Sequence, residues 1–175
     1  DIILESSKGL LRLANDLMSL SHVESGSFAL VEDEFSLRTE LENIVTLYRE
    51  TALKNSTSLS LTVPKNLPDL LCSDKQRIRQ IVINLVSNAI KFSKNRAVSI
   101  YVVVTFIDSD FCMISVKVND TGVGIPDVHK SRIFSPFFHA GSEAEQNKQG
   151  AGLGLALSRR FAERLGGHLE LIHSQ

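Results

Sequence analysis

Apolar residues at the start of the chain recur with helical spacing. Ile3, Leu10 and Leu17 lie seven apart, Leu13 and Leu20 complete an a/d seam, and Leu4, Leu11 and Met18 run beside it. The pattern predicts a helix from Asp1 to about Val23 whose broad apolar face needs helical partners. Ser25-Gly26-Ser27 breaks it, and Phe28 to Phe35 reads as an edge strand. Ser36 then caps a second helix in which Leu37, Leu41, Ile44, Val45, Tyr48 and Ala52 share one buried face, ending near Asn55. SLSLTV (58–63) alternates as a strand does, Pro64 and Pro68 mark a turn, and LLC (70–72) reads as a short strand before Asp74 caps a third helix.

That helix, DKQRIRQIVINLVSNAIKFS (74–93), has two faces. Ile78, Ile81, Val82, Leu85 and Ala89 form the expected core stripe, while Asn84, Asn88 and Lys91 align on another side. Two asparagines in mid-helix are poor helix formers, so a reason other than helicity is needed for them. VSIYVVVTF (98–106) and FCMISVKV (111–118) read as a hairpin around IDSD, and the second strand runs directly into Asp120. HAGSEAEQNKQGA (139–151) is polar, glycine-flanked and without period, a mobile loop by composition. A last helix is predicted from about Leu153 to Leu165, stopped by Gly166-Gly167, after which HLELI begins a strand. The order αβαββαββαβ predicts an α/β (α+β) two-layer sandwich, a mixed sheet with three helices on one face, and the first helix outside it.

Composition narrows the function. The chain has 175 residues, 43% of them apolar, enough for one core with an added element. Nineteen basic against twenty acidic residues leave a formal charge of −1, so no global field draws in nucleic acid or an anionic membrane, and any bound anion must be held locally. No apolar run reaches the roughly 18 to 20 residues of a membrane span, and the N-terminus lacks a secretory pattern. Cys72 and Cys112 have no CxxC spacing and the five histidines are scattered. Buried free thiols are expected rather than a disulfide or zinc site, in keeping with a reducing, cytoplasmic setting.

Three motifs carry chemistry. In NDTGVGIP (119–126), Asp120 emerges from a strand, where its carboxylate is held at a rim and accepts hydrogen bonds from an amino group. Gly122 and Gly124 remove Cβ atoms around one valine, so that the backbone turns tightly and a flat ring approaches. Together these describe a nucleobase seat, although a strand-ending turn accounts for DTG alone. QGAGLGLALSRR (149–160) sets Gly150, Gly152 and Gly154 before a helix, where free N–H groups and the helix dipole suit a phosphate chain. GAGLG is not G-x-G-x-x-G, no strand precedes it, and no GK[ST] occurs, which sets aside dinucleotide folds and P-loops. Asn84 and Asn88 offer neutral amide oxygens to Mg²⁺, with Lys91 a turn later as a point charge for phosphate, although a solvated helix face accounts for the three as well.

In this order the motifs resemble the sensor histidine kinase catalytic domain of the GHKL ATPase superfamily, over essentially the whole chain. NLVSNAIKFS looks like the N box, NDTGVGIP the G1 box, RIFSPFF (132–138) the F box and GAGLGLAL the G2 box. The resemblance implies a Bergerat-type ATP site. Asn88 would be the principal Mg²⁺ ligand with Asn84 beside it, Lys91 would meet phosphate, and Asp120 the adenine amino group. Gly122 and Gly124 would admit the base, Phe134 and Phe137 would pack under the lid, and Gly150, Gly152, Leu153, Gly154 and Leu155 would close on the triphosphate. It also implies that residues 1–27 are the second helix of a dimerisation and phosphoacceptor hairpin with its linker, and 28–175 the ATP-binding domain. The hairpin's first helix with the acceptor histidine, and the sheet's last strand, are expected to be missing, and His22 is not the acceptor.

An asparagine at position 84, where related ATPases carry a glutamate, cannot take a proton from water, so phosphoryl transfer to a histidine is expected over rapid ATP hydrolysis. The phosphate would pass on to an aspartate of a response-regulator receiver, and the intact protein would dimerise through helix 1–23. This chain alone would bind ATP without phosphorylating itself. Two rival readings are an ATP-driven clamp, which calls for a glutamate near Asn84, and a non-catalytic module acting through helix-bundle contacts.

Overall fold

Ser36 and Asp74 start the two long central helices as their side chains predict. A computed structural model describes residues 2–24, 29–108, 110–139 and 151–172. Its elements are α1 (Ile2–Glu24), β1 (Asp33–Phe35), α2 (Leu37–Lys54), β2 (Ser58–Thr62), β3 (Leu71–Ser73), α3 (Lys75–Phe92), β4 (Ala97–Phe106), β5 (Cys112–Asp120), a single turn α4 (Asp127–Lys130) and α5 (Gly154–Arg164). They form two compact units, one of Val31–Gly124 and one of the residues up to Leu30 with those from Ile125 onward.

In the Val31–Gly124 unit a mixed three-stranded sheet has the order β2-β4-β5, with β2 parallel to β4 and β4 antiparallel to β5. β1 and β3 pair separately, antiparallel. Val98, Ile100 and Val102 of β4 alternate onto the face that α2 and α3 cover. Leu41, Ile44, Val86 and Ile90 close this core with almost no exposed surface. On α3 the buried stripe runs through Val82, Val86, Ala89 and Ile90, with Ile78 packed against it. Ile81 and Leu85, expected in the core, are half-buried instead: by helical geometry they lie between the core stripe and the asparagine side.

Asp74 Oδ1 accepts from the Arg77 N–H at 3.0 Å, capping α3, while Oδ2 accepts from the Val31 N–H at 3.2 Å. Glu40 of α2, only 7% exposed, joins the two helices through Lys75 at 3.0 Å and Arg79 at 2.9 Å. Burial opposes its ionisation, but the hydrogen bonds and charges of Lys75 and Arg79 outweigh burial and hold the carboxyl below its ordinary value of 4.5. A folded value below the unfolded one means that this stabilisation is complete above pH 4.5 and is lost as pH falls through the lowered value. Glu40→Gln is therefore expected to cost about 1 to 2 kcal/mol at pH 7, because both cations remain partly solvated. Urea unfolding should show the gap narrowing in acid, and equal stability at pH 7 would count against the link.

In the other unit α1 packs on α5, and Leu20 of α1 and Leu157 and Phe161 of α5 are buried. Gly166, at φ +79°, ends α5: its N–H donates to the Glu163 carbonyl and the Gly167 N–H to the Ala162 carbonyl, the left-handed helix stop that the glycine pair predicts.

Three further expectations need correction. Of the strand expected over Phe28 to Phe35 only Asp33–Phe35 forms, where β3 supplies a ladder partner; Phe28 lies outside the described residues. HLELI (168–172) forms no strand, since its unit offers no partner strand among the described residues. The cysteines are free as expected but not buried, Cys72 being exposed on the outward side of β3 and Cys112 half-buried. Residues 140–150 of the polar loop lie outside the described residues. No described helix is long and apolar enough to cross a membrane.

Candidate functional site

β5 places Asp120 at the end of the sheet, opposite Val98 in the ladder. The pairing continues one residue further, with the Thr121 N–H donating to the Ala97 carbonyl at 3.1 Å and the Ala97 N–H to Thr121 Oγ1 at 3.2 Å. Arg96 donates from its guanidinium to the carbonyls of Thr121 and Gly122. The turn after the strand is thus pinned on two sides. Asp120 itself is exposed, and Oδ1 accepts from Ser93 Oγ at 3.0 Å and from the Gly122 N–H at 2.8 Å.

Gly122 is required by close approach. A Cβ there would lie 2.5 Å from the Phe92 carbonyl oxygen, 2.6 Å from Asp120 Oδ1 and 2.8 Å from Ser93 Oγ. The space freed by the missing side chain is filled by the end of α3 and by the carboxylate. Gly124 is needed for a different reason, its backbone φ of +73°. Val123 between them is exposed.

On α3, Asn84 and Asn88 are half-buried and Lys91 is exposed, on the side away from the core stripe. The Lys91 ammonium lies 5.0 Å from the centre of the Phe92 ring, and partial burial draws its pKa below the ordinary lysine value. Ser93, which ends α3, is fully buried; its carbonyl accepts from Thr57 Oγ1 at 2.9 Å and from the Arg96 N–H at 3.1 Å. The N-box and G1-box segments are therefore linked, within one unit, by the hydrogen bond from Ser93 to Asp120. Sequence reasoning gave no role to Ser93, Arg96 or Thr57. Ser93 stands in the quoted N box, but a serine after a helix reads as an ordinary cap.

The F and G2 boxes belong to the other unit. Phe134 is half-buried beneath the Arg159 guanidinium, 5.3 Å from its ring centre. Phe137 is exposed, with a φ of +61° rare for a bulky residue, and its N–H donates to the Gly152 carbonyl at 3.0 Å. Gly152 has φ +68°, and a Cβ there would meet the Phe137 backbone and the His139 ring within 3.0 Å. Leu153 is buried, leaving only its main chain to meet a ligand; Gly154, which begins α5, and Leu155 are half-buried, and Gly150 lies outside the described residues. Leu153, the N-cap residue of α5, makes no side-chain capping hydrogen bond.

Residues 73–175 match the family model described as histidine kinase-, DNA gyrase B- and HSP90-like ATPase. Over 170 residues, 97% of the chain, the sequence is 34% identical to signal transduction histidine-protein kinase BarA of Escherichia coli (strain K12), of which it covers 18%. Among solved structures, full-length ShkA in complex with AMPPNP superposes with a TM-score of 0.77 at 28% identity, over 93% of this chain and 32% of that one. Histidine kinase ThkA in complex with response regulator TrrA superposes with a TM-score of 0.59 at 26% identity, over 90% of this chain and 43% of that one. The chain thus spans about a fifth of the length of this curated relative.

Proposed function

This chain belongs to the histidine kinase-, DNA gyrase B- and HSP90-like ATPase family, and from that premise we propose that it binds Mg-ATP and serves the whole protein as a histidine kinase catalytic domain. The observation that carries the reading is the Asp120 carboxylate, fixed at a strand end by two donors on one oxygen beside a glycine turn. A fixed anion of this kind suits the exocyclic amino group of adenine. Gly124 shapes the turn for a flat ring, with Gly122 seating the carboxylate. Gly150, Gly152, Leu153, Gly154 and Leu155 are assigned to the triphosphate on family grounds, and Phe134 and Phe137 to the segment covering it.

The donor set fits magnesium. Asn84 and Asn88 offer neutral amide oxygens from half-buried positions, a donor set suited to a cation that takes its remaining oxygens from phosphate and water. Asn88, with Asn84 a turn away, would hold it, and when bound it neutralises charge on the transferring phosphoryl group. Lys91 adds a positive charge for phosphate. Neither asparagine accepts a proton, so water is not activated, whereas a neutral imidazole needs no such help. The γ-phosphoryl group goes to a histidine of the whole protein, and from there to an aspartate of a response-regulator receiver.

Residues 1–27 are the proposed dimerisation helix and linker, and 28–175 the catalytic domain. α1 leaves Leu10, Leu17 and Met18 exposed, as a surface for a homodimer of the whole protein would. A cytoplasmic location goes with the use of ATP. Calorimetric titration with a non-hydrolysable ATP analogue tests the metal assignment. In the parent chain Mg²⁺ should strengthen binding; Asn88→Ala should remove most of that gain, while affinity in chelator stays near the parent's. An Asn88→Ala variant with the parent's full metal dependence would remove Asn88 from the role.

A further inference from the structure

Resting on the assignment of Asp120 to adenine, we infer that the buried Ser93 hydroxyl is a positioning and specificity-determining residue, which fixes the face that the Asp120 carboxylate presents to the base. Ser93 Oγ and the Gly122 N–H both donate to Oδ1, at 3.0 and 2.8 Å. Among the described residues these are the two hydrogen bonds to this carboxylate, so Oδ2 is the oxygen left for a ligand.

The hydroxyl is itself well held. Ser93 is fully buried, and its carbonyl takes hydrogen bonds from Thr57 Oγ1 and the Arg96 N–H. Arg96 also grips the carbonyls of Thr121 and Gly122. The loop that follows α3 therefore fixes both the residue that orients the carboxylate and the turn that supplies its second donor. A hydroxyl has one proton, and here it goes to Asp120, which makes the oxygen facing Ser93 an obligatory acceptor. Whatever stands at position 120 must turn its acceptor inward, and the atom turned outward then decides which base edge is accepted. An anionic oxygen outward takes an amino donor.

The test compares non-hydrolysable ATP and ITP analogues, with Mg²⁺, on the 175-residue chain by calorimetry. ITP carries an oxygen acceptor where ATP carries the amino donor. Ser93→Ala is expected to lower the ATP-to-ITP affinity ratio by about three- to tenfold, the scale of one hydrogen bond. Ser93→Thr, which keeps the hydroxyl, should restore it. If Ser93→Ala does not fold, Ser93→Cys keeps the volume with a much weaker donor and should lower the ratio likewise. A side chain with a purely structural role would weaken both nucleotides equally, and an unchanged ratio with lower melting temperature overturns the inference. Asp120→Asn, run alongside, separates this from failure of the adenine assignment. If Asp120→Asn alters the ratio and the Ser93 variants do not, only the positioning role fails; if Asp120→Asn leaves the ratio at the parent's value, the adenine assignment fails and the inference with it.

Discussion

Asp120→Asn is expected to reverse the nucleotide preference of the chain rather than merely weaken binding. The amide is nearly isosteric with the carboxylate, so the turn should survive. Ser93 Oγ and the Gly122 N–H, both donors aimed at Oδ1, will claim the amide oxygen, which directs the NH₂ group outward. Adenine then meets a donor with its own amino group. Losing a charge-assisted hydrogen bond costs about 1.5 to 3 kcal/mol, roughly 10- to 150-fold in affinity for the ATP analogue. The ITP analogue, with an oxygen at that position, should bind the variant at least as well as it binds the parent. A variant that still favours ATP by the parent's margin would contradict the assignment.

The second large effect is expected at Gly122. Gly122→Ala places a methyl group 2.5 Å from the Phe92 carbonyl oxygen, which belongs to the end of a packed helix and cannot move cheaply. The same methyl presses on Asp120 Oδ1 and Ser93 Oγ. Overpacking of this kind costs about 1 to 3 kcal/mol of stability. Because relief requires the carboxylate to turn, ATP affinity should fall by at least about tenfold even where the variant remains folded. Denaturant unfolding and calorimetry on the same sample would separate the two losses. Parent-like values in both would mean that the turn is looser than its contacts imply.

Much of this was legible from pattern. Ser36 and Asp74 announced the starts of α2 and α3 because a capping oxygen is a local requirement, and Gly166-Gly167 announced the end of α5 for the same reason. Strand alternation found β4 and β5, whose inward residues repeat every second position. Where a partner decides the outcome, pattern fell short. HLELI has a strand's alternation, but a strand exists only against another strand. Ile81 and Leu85 looked like core because hydrophobicity does not tell a stripe's centre from its flank; the packing of α2 and the sheet does. Asp120, Asn84, Asn88 and Lys91 were visible as chemistry-bearing types at suggestive spacing. Ser93 was not, since its importance lies in a hydrogen bond across 27 residues. The sequence suggested Gly122 as an opening for a flat ring; in the structure its missing side chain makes room for the protein's own helix end and carboxylate.

The central claim is that a fixed carboxylate at position 120 recognises an amino group on a purine. Calorimetry on the parent chain, comparing the ATP analogue with its counterpart built on purine riboside, which lacks that amino group, tests this most directly. Removal of the amino group should weaken binding by at least about tenfold, with Mg²⁺ held constant. Equal affinity for the two would contradict the account.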